Sequence, residues 1–134
     1  MAEEATLVIV KPDAVRRGLI GEILGRFERK GLRIEAMRRM TIDRDLAEQH
    51  YDEHRDKAFF GELVDFITSG EVVVARVVGE QAVSVVRTLM GPTDPAAAPP
   101  GTIRGDYGVV ITENLVHGSD SPESAKRELD LFFG

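Results

Sequence analysis

The apolar positions fall into short runs whose period changes along the chain. Thr6 to Val10 is a continuous β-branched run closed by Lys11-Pro12, the pattern of a buried strand. Asp13 is placed to cap a helix after that proline. Leu19, Ile20, Ile23, Leu24 and Phe27 then recur on one helical face, and Lys30-Gly31 has the form of a helix stop. Leu32 to Ile42 reads as a second strand, with Ile34, Ala36 and Met40 inward and Arg33, Arg38 and Arg39 on a solvated face. Asp43 or Asp45 can cap a short helix through Tyr51 and His54. Phe59 to Ile67 predicts another helix, ended by Ser69-Gly70. Val72 to Val78 predicts a third strand and Glu80 to Met90 a helix with Val83, Val86 and Met90 inward. From Gly91 to Gly105 regularity stops, and Pro92, Pro95, Pro99 and Pro100 crowd a segment too long for an ordinary connection. Val109 to Thr112 predicts the fourth strand. Ser121-Pro122-Glu123 opens a last helix with Ala125, Leu129 and Phe132 as its apolar face.

Four strands interleaved with helices predict an α+β fold, a ferredoxin-like βαββαβ sandwich. Its four-stranded antiparallel or mixed sheet is covered by helices, expected on one face. At 134 residues the chain is the size of one domain, taken here as 1–134. The 43% hydrophobic content suffices for a small core.

Charge and composition narrow the function. A net charge of −6 argues against general binding of nucleic acid or anionic membrane, without excluding a local basic pocket. With no cysteine, disulfides, thiolate catalysis and Cys-based zinc sites are out. The acidic start, Met-Ala-Glu-Glu, lacks the pattern of a signal peptide, and the apolar runs are far shorter than a membrane helix needs, so a cytoplasmic location is expected.

Several motifs carry little. There is no GxxxxGK[ST] phosphate loop, and Gly18, Gly21 and Gly25 do not have dinucleotide spacing. His50 and His54 share a helix face and could hold a metal, but the intervening acids are out of HExxH order, and a solvated face is the plainer reading. Arg104-Gly105-Asp106 matches an adhesion tripeptide by coincidence. Extended through Val109, it is a faint echo of an RNA-recognition signature that Asp106 interrupts.

His117 is different. It lies in Asn114-Leu115-Val116-His117-Gly118-Ser119-Asp120, after a predicted strand and among small polar residues. Thr93, Thr102 and Arg104 in the proline-rich loop suit phosphate, Arg87 adds a guanidinium, and Lys11 ends the first strand. Glu128 on the last helix can orient an imidazole. A histidine, two arginines, a lysine and a carboxylate describe phosphoryl transfer without a phosphate loop.

The Asn114-x-x-His117-Gly118-Ser119-Asp120 stretch resembles the active-site signature of nucleoside diphosphate kinases. Thr6 to Asp13 resembles that family's first strand. His50-Tyr51 with Phe59-Phe60-Gly61 resembles its nucleotide-gripping helices, and Gly101 to Asp106 its phosphate loop. The similarity runs in register from about Thr6 to Phe133.

The resemblance implies a ping-pong transfer of γ-phosphate from a nucleoside triphosphate to a nucleoside diphosphate, with His117 as nucleophile. It implies that Glu128 orients His117, with Ser119 supporting Glu128. Arg87, Thr93 and Arg104 would bind phosphates, with Tyr51 near the transferred group. Lys11 and Asn114 would reach the sugar and phosphate, and Phe59 would stack on the base between Leu63 and Ile111. Without the resemblance, Phe59 reads as core and Lys11 and Arg87 as solvated charges. The implied cofactor is Mg²⁺, held by phosphates and water and not by a protein cage. The implied partners are nucleoside di- and triphosphates and copies of the same chain, a hexamer in preference to a tetramer, with no membrane or specific nucleic acid. Ala58, Glu71 and Asp94 depart from residues common in the family (Pro, Pro and Asn), at positions without a matched catalytic role. The end at Phe133-Gly134 resembles the short bacterial type. A catalytically idle binding relative is the main alternative, against which the intact His117, Lys11, Arg104 and Asn114 argue.

Overall fold

The computed structural model describes residues 3–134. Its elements are β1 (Glu3–Val10), α1 (Pro12–Arg16), α2 (Ile20–Lys30), β2 (Arg33–Thr41), α3 (Arg44–His50), α4 (Phe60–Ile67), β3 (Glu71–Glu80), α5 (Ala82–Met90), α6 (Ile103–Tyr107), β4 (Val116–Gly118) and α7 (Pro122–Phe133), with short 3₁₀ turns at Asp52–His54 and Pro95–Ala97. The sheet order is β2-β3-β1-β4 and every pairing is antiparallel. The fold is therefore α+β, and the four-strand sandwich expected from the pattern is present.

The helices cover both faces, not one. Leu7, Val8, Ile9 and Val10 are all fully buried. Successive residues of a strand point to opposite faces, so Val8 and Val10 join Ile23, Phe27, Val86 and Met90 beneath α2 and α5. Leu7 and Ile9 join Ala47, Val64, Ile67, Leu129 and Phe132 beneath α3, α4 and α7. A strand with no polar alternation has no face to give to water. β2 and β4 are the two edge strands, and the alternation of β2 breaks at a register shift between Ile34 and Ala36.

Several ends obey local rules. Gly31 stops α2 at φ 109°, Asp43 caps α3 through the Leu46 N–H at 2.8 Å, and Ser121 caps α7 through Ser124. Two expectations fail. Asp13 caps nothing; it is buried inside α1, and its carboxylate accepts the N–H of Leu115 at 3.1 Å. Val109–Thr112 is not a strand, and Val109, Val110 and Ile111 are 77%, 48% and 55% exposed. The free edge of β1 is reached only after Leu115, whose φ of 76° turns the chain onto it. The proline-rich segment is also more ordered than its composition suggests. Asp94 caps the 3₁₀ turn through the Ala96 N–H, and Thr102 caps α6 through Gly105. A Cβ at Gly105 would fall on the Pro99 carbonyl, so the loop closes only with glycine there.

Candidate active site

His117 is the middle residue of β4 and pairs with Ile9 of β1. Paired residues share a face, so the imidazole emerges on the side of α3 and α7. Val116 and Gly118 face the other way, where a Cβ on Gly118 would press on Met90 and Val86 of α5. Glu128 of α7 meets the ring, its Oε1 2.8 Å from His117 Nε2. The same oxygen accepts the Ser119 hydroxyl at 2.7 Å, and Ser119 Oγ in turn accepts the Leu7 N–H. Burial alone would raise the Glu128 pKa; the hydrogen bond and attraction of His117, then the Ser119 hydroxyl, hold it down to about 2. An ionised carboxylate only accepts, so His117 Nε2 carries the proton. Nδ1 is left with the lone pair.

A second group stands at the end of β1. Lys11 Nζ donates to Asn114 Oδ1 at 2.8 Å, and Asn114 Nδ2 donates to the Thr93 carbonyl at 3.1 Å. Burial and the Arg104 charge lower the Lys11 pKa to about 8, against the pull of Asp13. Arg104 is 5% exposed and donates to the carbonyls of Asn114, Gly91 and Val116 at 3.1, 3.0 and 2.7 Å. Burial, then the nearby Arg87, lowers its pKa to about 10, so it remains a cation at neutral pH. Three of its five N–H donors are thus committed to the chain itself, leaving two uncommitted. Arg87 reaches Asp120 at 2.7 Å and the Gly118 carbonyl at 3.3 Å. Asp106 pairs with Arg26 at 2.7 Å, so Arg104-Gly105-Asp106 is not presented as an exposed tripeptide.

Tyr51 is buried, and burial followed by the Glu128 charge raises its phenol pKa. Phe59 is 45% exposed before α4, with Lys57 Nζ 5.6 Å from its ring centre. Leu63 donates its N–H to the Phe59 carbonyl one turn on, and Ile111 stands exposed on the loop after α6. His117, Glu128 and Ser119 are tied by hydrogen bonds, as are Lys11, Asn114 and Arg104, whereas Phe59 and Ile111 sit on separate segments.

The His50/His54 pair does not form. α3 ends at His50, and the 3₁₀ turn carries His54 toward Phe59, 5.7 Å between ring centres. His50 instead lies 4.7 Å from His117, edge to face. Among the described residues, His50, His117 and Glu128 form a group with donor atoms within 4.8 Å. Two nitrogens and one oxygen suit a softer metal, not Mg²⁺, which wants oxygens. Neither nitrogen of His50 has a hydrogen-bond partner, which costs about 1–3 kcal/mol for each buried polar group left unpaired. Sequence reasoning quoted His50, Asp13 and Asp120 within motifs but missed their contacts with His117, Leu115 and Arg87. Each meets a partner more than thirty positions away, and no local pattern signals it.

The nucleoside diphosphate kinase family model matches residues 4–134. The chain belongs to the nucleoside diphosphate kinase family. It is 64% identical over 131 residues to the nucleoside diphosphate kinase of Rubrobacter xylanophilus, covering 98% of each chain. It is 61% identical over 130 residues to that of Archaeoglobus fulgidus, covering 97% of this chain and 86% of the other. The structure of the halophilic nucleoside diphosphate kinase from Halobacterium salinarum, in complex with CDP, superposes at a TM-score of 0.96. It is 52% identical and covers 98% of this chain and 88% of that one. The Aquifex aeolicus enzyme superposes at 0.95, with 43% identity and coverage of 99% and 96%. The chain is thus a phosphotransferase acting on nucleotides, of a family that works with a divalent metal. No described helix is long and apolar enough to cross a membrane.

Proposed function

We propose that residues 1–134 form one kinase domain that passes the γ-phosphate between nucleotides by a ping-pong reaction through phosphohistidine at His117. The observation that carries this reading is the Glu128–His117 Nε2 contact at 2.8 Å, which leaves Nδ1 as the nucleophilic nitrogen. The Nδ1 lone pair attacks the γ-phosphorus while the bond to the β-phosphate oxygen breaks, and the nucleoside diphosphate leaves with that electron pair. The ring holds the resulting positive charge, with its Nε2–H on Glu128. In the second half, a β-phosphate oxygen of another nucleoside diphosphate attacks the phosphorus and the P–N bond breaks. A neutral imidazole needs no base to remove a proton first.

Arg104, Arg87, Lys11 and the Thr93 hydroxyl surround the approach with positive charge and donors, which a polyanion needs on a protein of charge −6. Asn114 holds Lys11 and is placed to meet the sugar; Tyr51 borders the transferred group. Phe59, with Leu63 and Ile111, supplies the apolar grip on the base. Stacking accepts any base, and the relative from Halobacterium salinarum is described in complex with CDP, a pyrimidine nucleotide; turnover of purine and pyrimidine diphosphates alike is the expectation. Mg²⁺ enters as part of the substrate, because the carboxylates Asp13, Asp120 and Glu128 are each committed to a protein partner. Bound with the phosphates, it would offset their charge. We also place the enzyme in the cytoplasm as a homo-hexamer, testable by light-scattering mass.

The deciding experiment is intact-protein mass after brief incubation with ATP and Mg²⁺ at alkaline pH, followed by GDP. One phosphate adduct should form, vanish with GDP as GTP appears, and be missing in His117→Ala. Well-folded protein that never carries an adduct would leave the idle binding relative as the better reading.

A further inference from the structure

His50 is 4% exposed at the end of α3. Its ring meets His117 edge to face, with centres 4.7 Å apart and planes at 80°. Tyr51 at 4.7 Å and Phe132 at 5.5 Å close around it. Nδ1 and Nε2 are both buried and both without a hydrogen-bond partner. An apolar side chain of the same shape would fill this space without stranding two polar atoms. The imidazole is therefore a costly choice at this spot, and the spot is the flank of the nucleophile.

The surroundings fix its state. Burial holds His50 well below the ordinary histidine pKa; His117, Lys11 and Arg127 act in the same direction and Glu128 alone opposes them. His50 is thus neutral at working pH. A neutral imidazole has a lone pair on its edge, which an aromatic hydrocarbon lacks.

Building on the phosphohistidine reading, we propose that His50 is a positioning residue for phosphoryl transfer: its uncharged imidazole holds the His117 ring with Nε2 on Glu128 and Nδ1 outward, and its lone pair favours the positive charge that the ring acquires as Nδ1 bonds to phosphorus. Three groups then share the ring. Glu128 fixes one nitrogen, the substrate takes the other, and His50 supports the ring between them. The same neighbour would repel the ring if it were protonated, which is why its burial matters.

His50→Phe tests this, because it keeps shape and aromaticity and removes both nitrogens. It should melt at or above the wild-type temperature by circular dichroism, since two stranded polar atoms are gone. Its single-turnover rate of His117 phosphorylation by ATP and Mg²⁺ should nevertheless fall by roughly tenfold or more, as a displaced reacting group brings. ADP affinity should stay within about twofold. His50→Gln, which restores a polar edge, should recover part of the rate. In nitrogen-15 spectra His117 should be a single Nε2–H tautomer in the wild type and a mixture in His50→Phe. An unchanged rate and an unchanged tautomer in His50→Phe overturn the proposal. So does a rate loss matched by equal losses in ADP affinity and melting temperature, the mark of a merely structural role. Should the wild type form no adduct, the phosphohistidine reading falls, while the tautomer comparison still decides whether His50 sets the His117 ring.

Discussion

Replacing Asp13 by alanine strikes the site from below without touching any residue proposed to contact the nucleotide. The Asp13 carboxylate accepts the buried Leu115 N–H at 3.1 Å, and the Leu115 carbonyl accepts the Lys11 N–H at 2.9 Å. Leu115 itself has φ of 76°, a conformation that costs a leucine about 1–2 kcal/mol and survives only where its surroundings dictate it. Asp13→Ala leaves a buried N–H unpaired, a loss of about 1–3 kcal/mol. Part is regained, since burial raises the Asp13 pKa and the wild type bears that penalty. A net destabilisation of roughly 1–2 kcal/mol follows. Because Leu115 joins Asn114 to Val116, its relaxation should also loosen the Lys11–Asn114 contact and raise the KM for ADP several-fold. Asp13→Asn retains an oxygen for the N–H, so it should lose less stability than alanine while removing the charge that steadies Lys11. Urea unfolding followed by far-ultraviolet circular dichroism suits a chain with no tryptophan. An alanine variant within about 0.5 kcal/mol of wild type, with an unchanged KM, would refute the reasoning, since that is the scatter of neutral surface changes.

Three more predictions rest on the same geometry. Glu128 titrates at about 2 in the folded chain, below its ordinary 4.5, so its contribution is complete above pH 4.5 and lost as pH falls toward 2. Glu128→Gln should flatten acid unfolding over that window by on the order of 2 kcal/mol, and an identical acid transition would contradict it. Lys11, lowered to about 8, is largely deprotonated above pH 8 in the free protein. A polyanion should restore its proton, so ADP binding near pH 8 should take up protons, visible as a calorimetric enthalpy that varies with the buffer's ionisation heat; buffer independence would count against this. Phe59→Ala should weaken purine and pyrimidine diphosphates alike, by about 1–3 kcal/mol per stacked base. Its melting temperature should hold, because the ring is 45% exposed, and a loss confined to one base would reject the stacking role.

What the sequence made legible was local. The β1 run, the Gly31 stop, the Asp43 cap and the Ser121-Pro122 helix start each depend on neighbours a few residues away. Val109–Thr112 misleads because β propensity describes a fit to a sheet, and that stretch has no strand edge to meet. The true fourth strand, Val116–Gly118, is three residues long with a histidine at its centre, too short and too polar to announce itself. The unbroken apolar stretch of β1 did hold the evidence for two covered faces. For the site, residue chemistry proposed His117, Glu128, Arg87, Arg104 and Lys11. Asn114, Tyr51 and Phe59 came from the family resemblance, which also quoted His50, but the contact of His50 with His117 came only from the fold.

The strand that carries His117 lies beside the first strand of the chain, although more than a hundred residues separate them. Leu7 to Ser119, Lys11 to Asn114 and Asp13 to Leu115 span 112, 103 and 102 positions. Contacts this distant must meet the entropy of closing most of the chain. A ribosome that has released only β1 through α5 has made three strands of the sheet and none of the nucleophile. On the reading proposed above, the polypeptide cannot accept phosphate at His117 until the segment from Asn114 onward emerges and β4 settles onto β1. Activity in this enzyme is therefore also a report that β4 has been made and has joined β1.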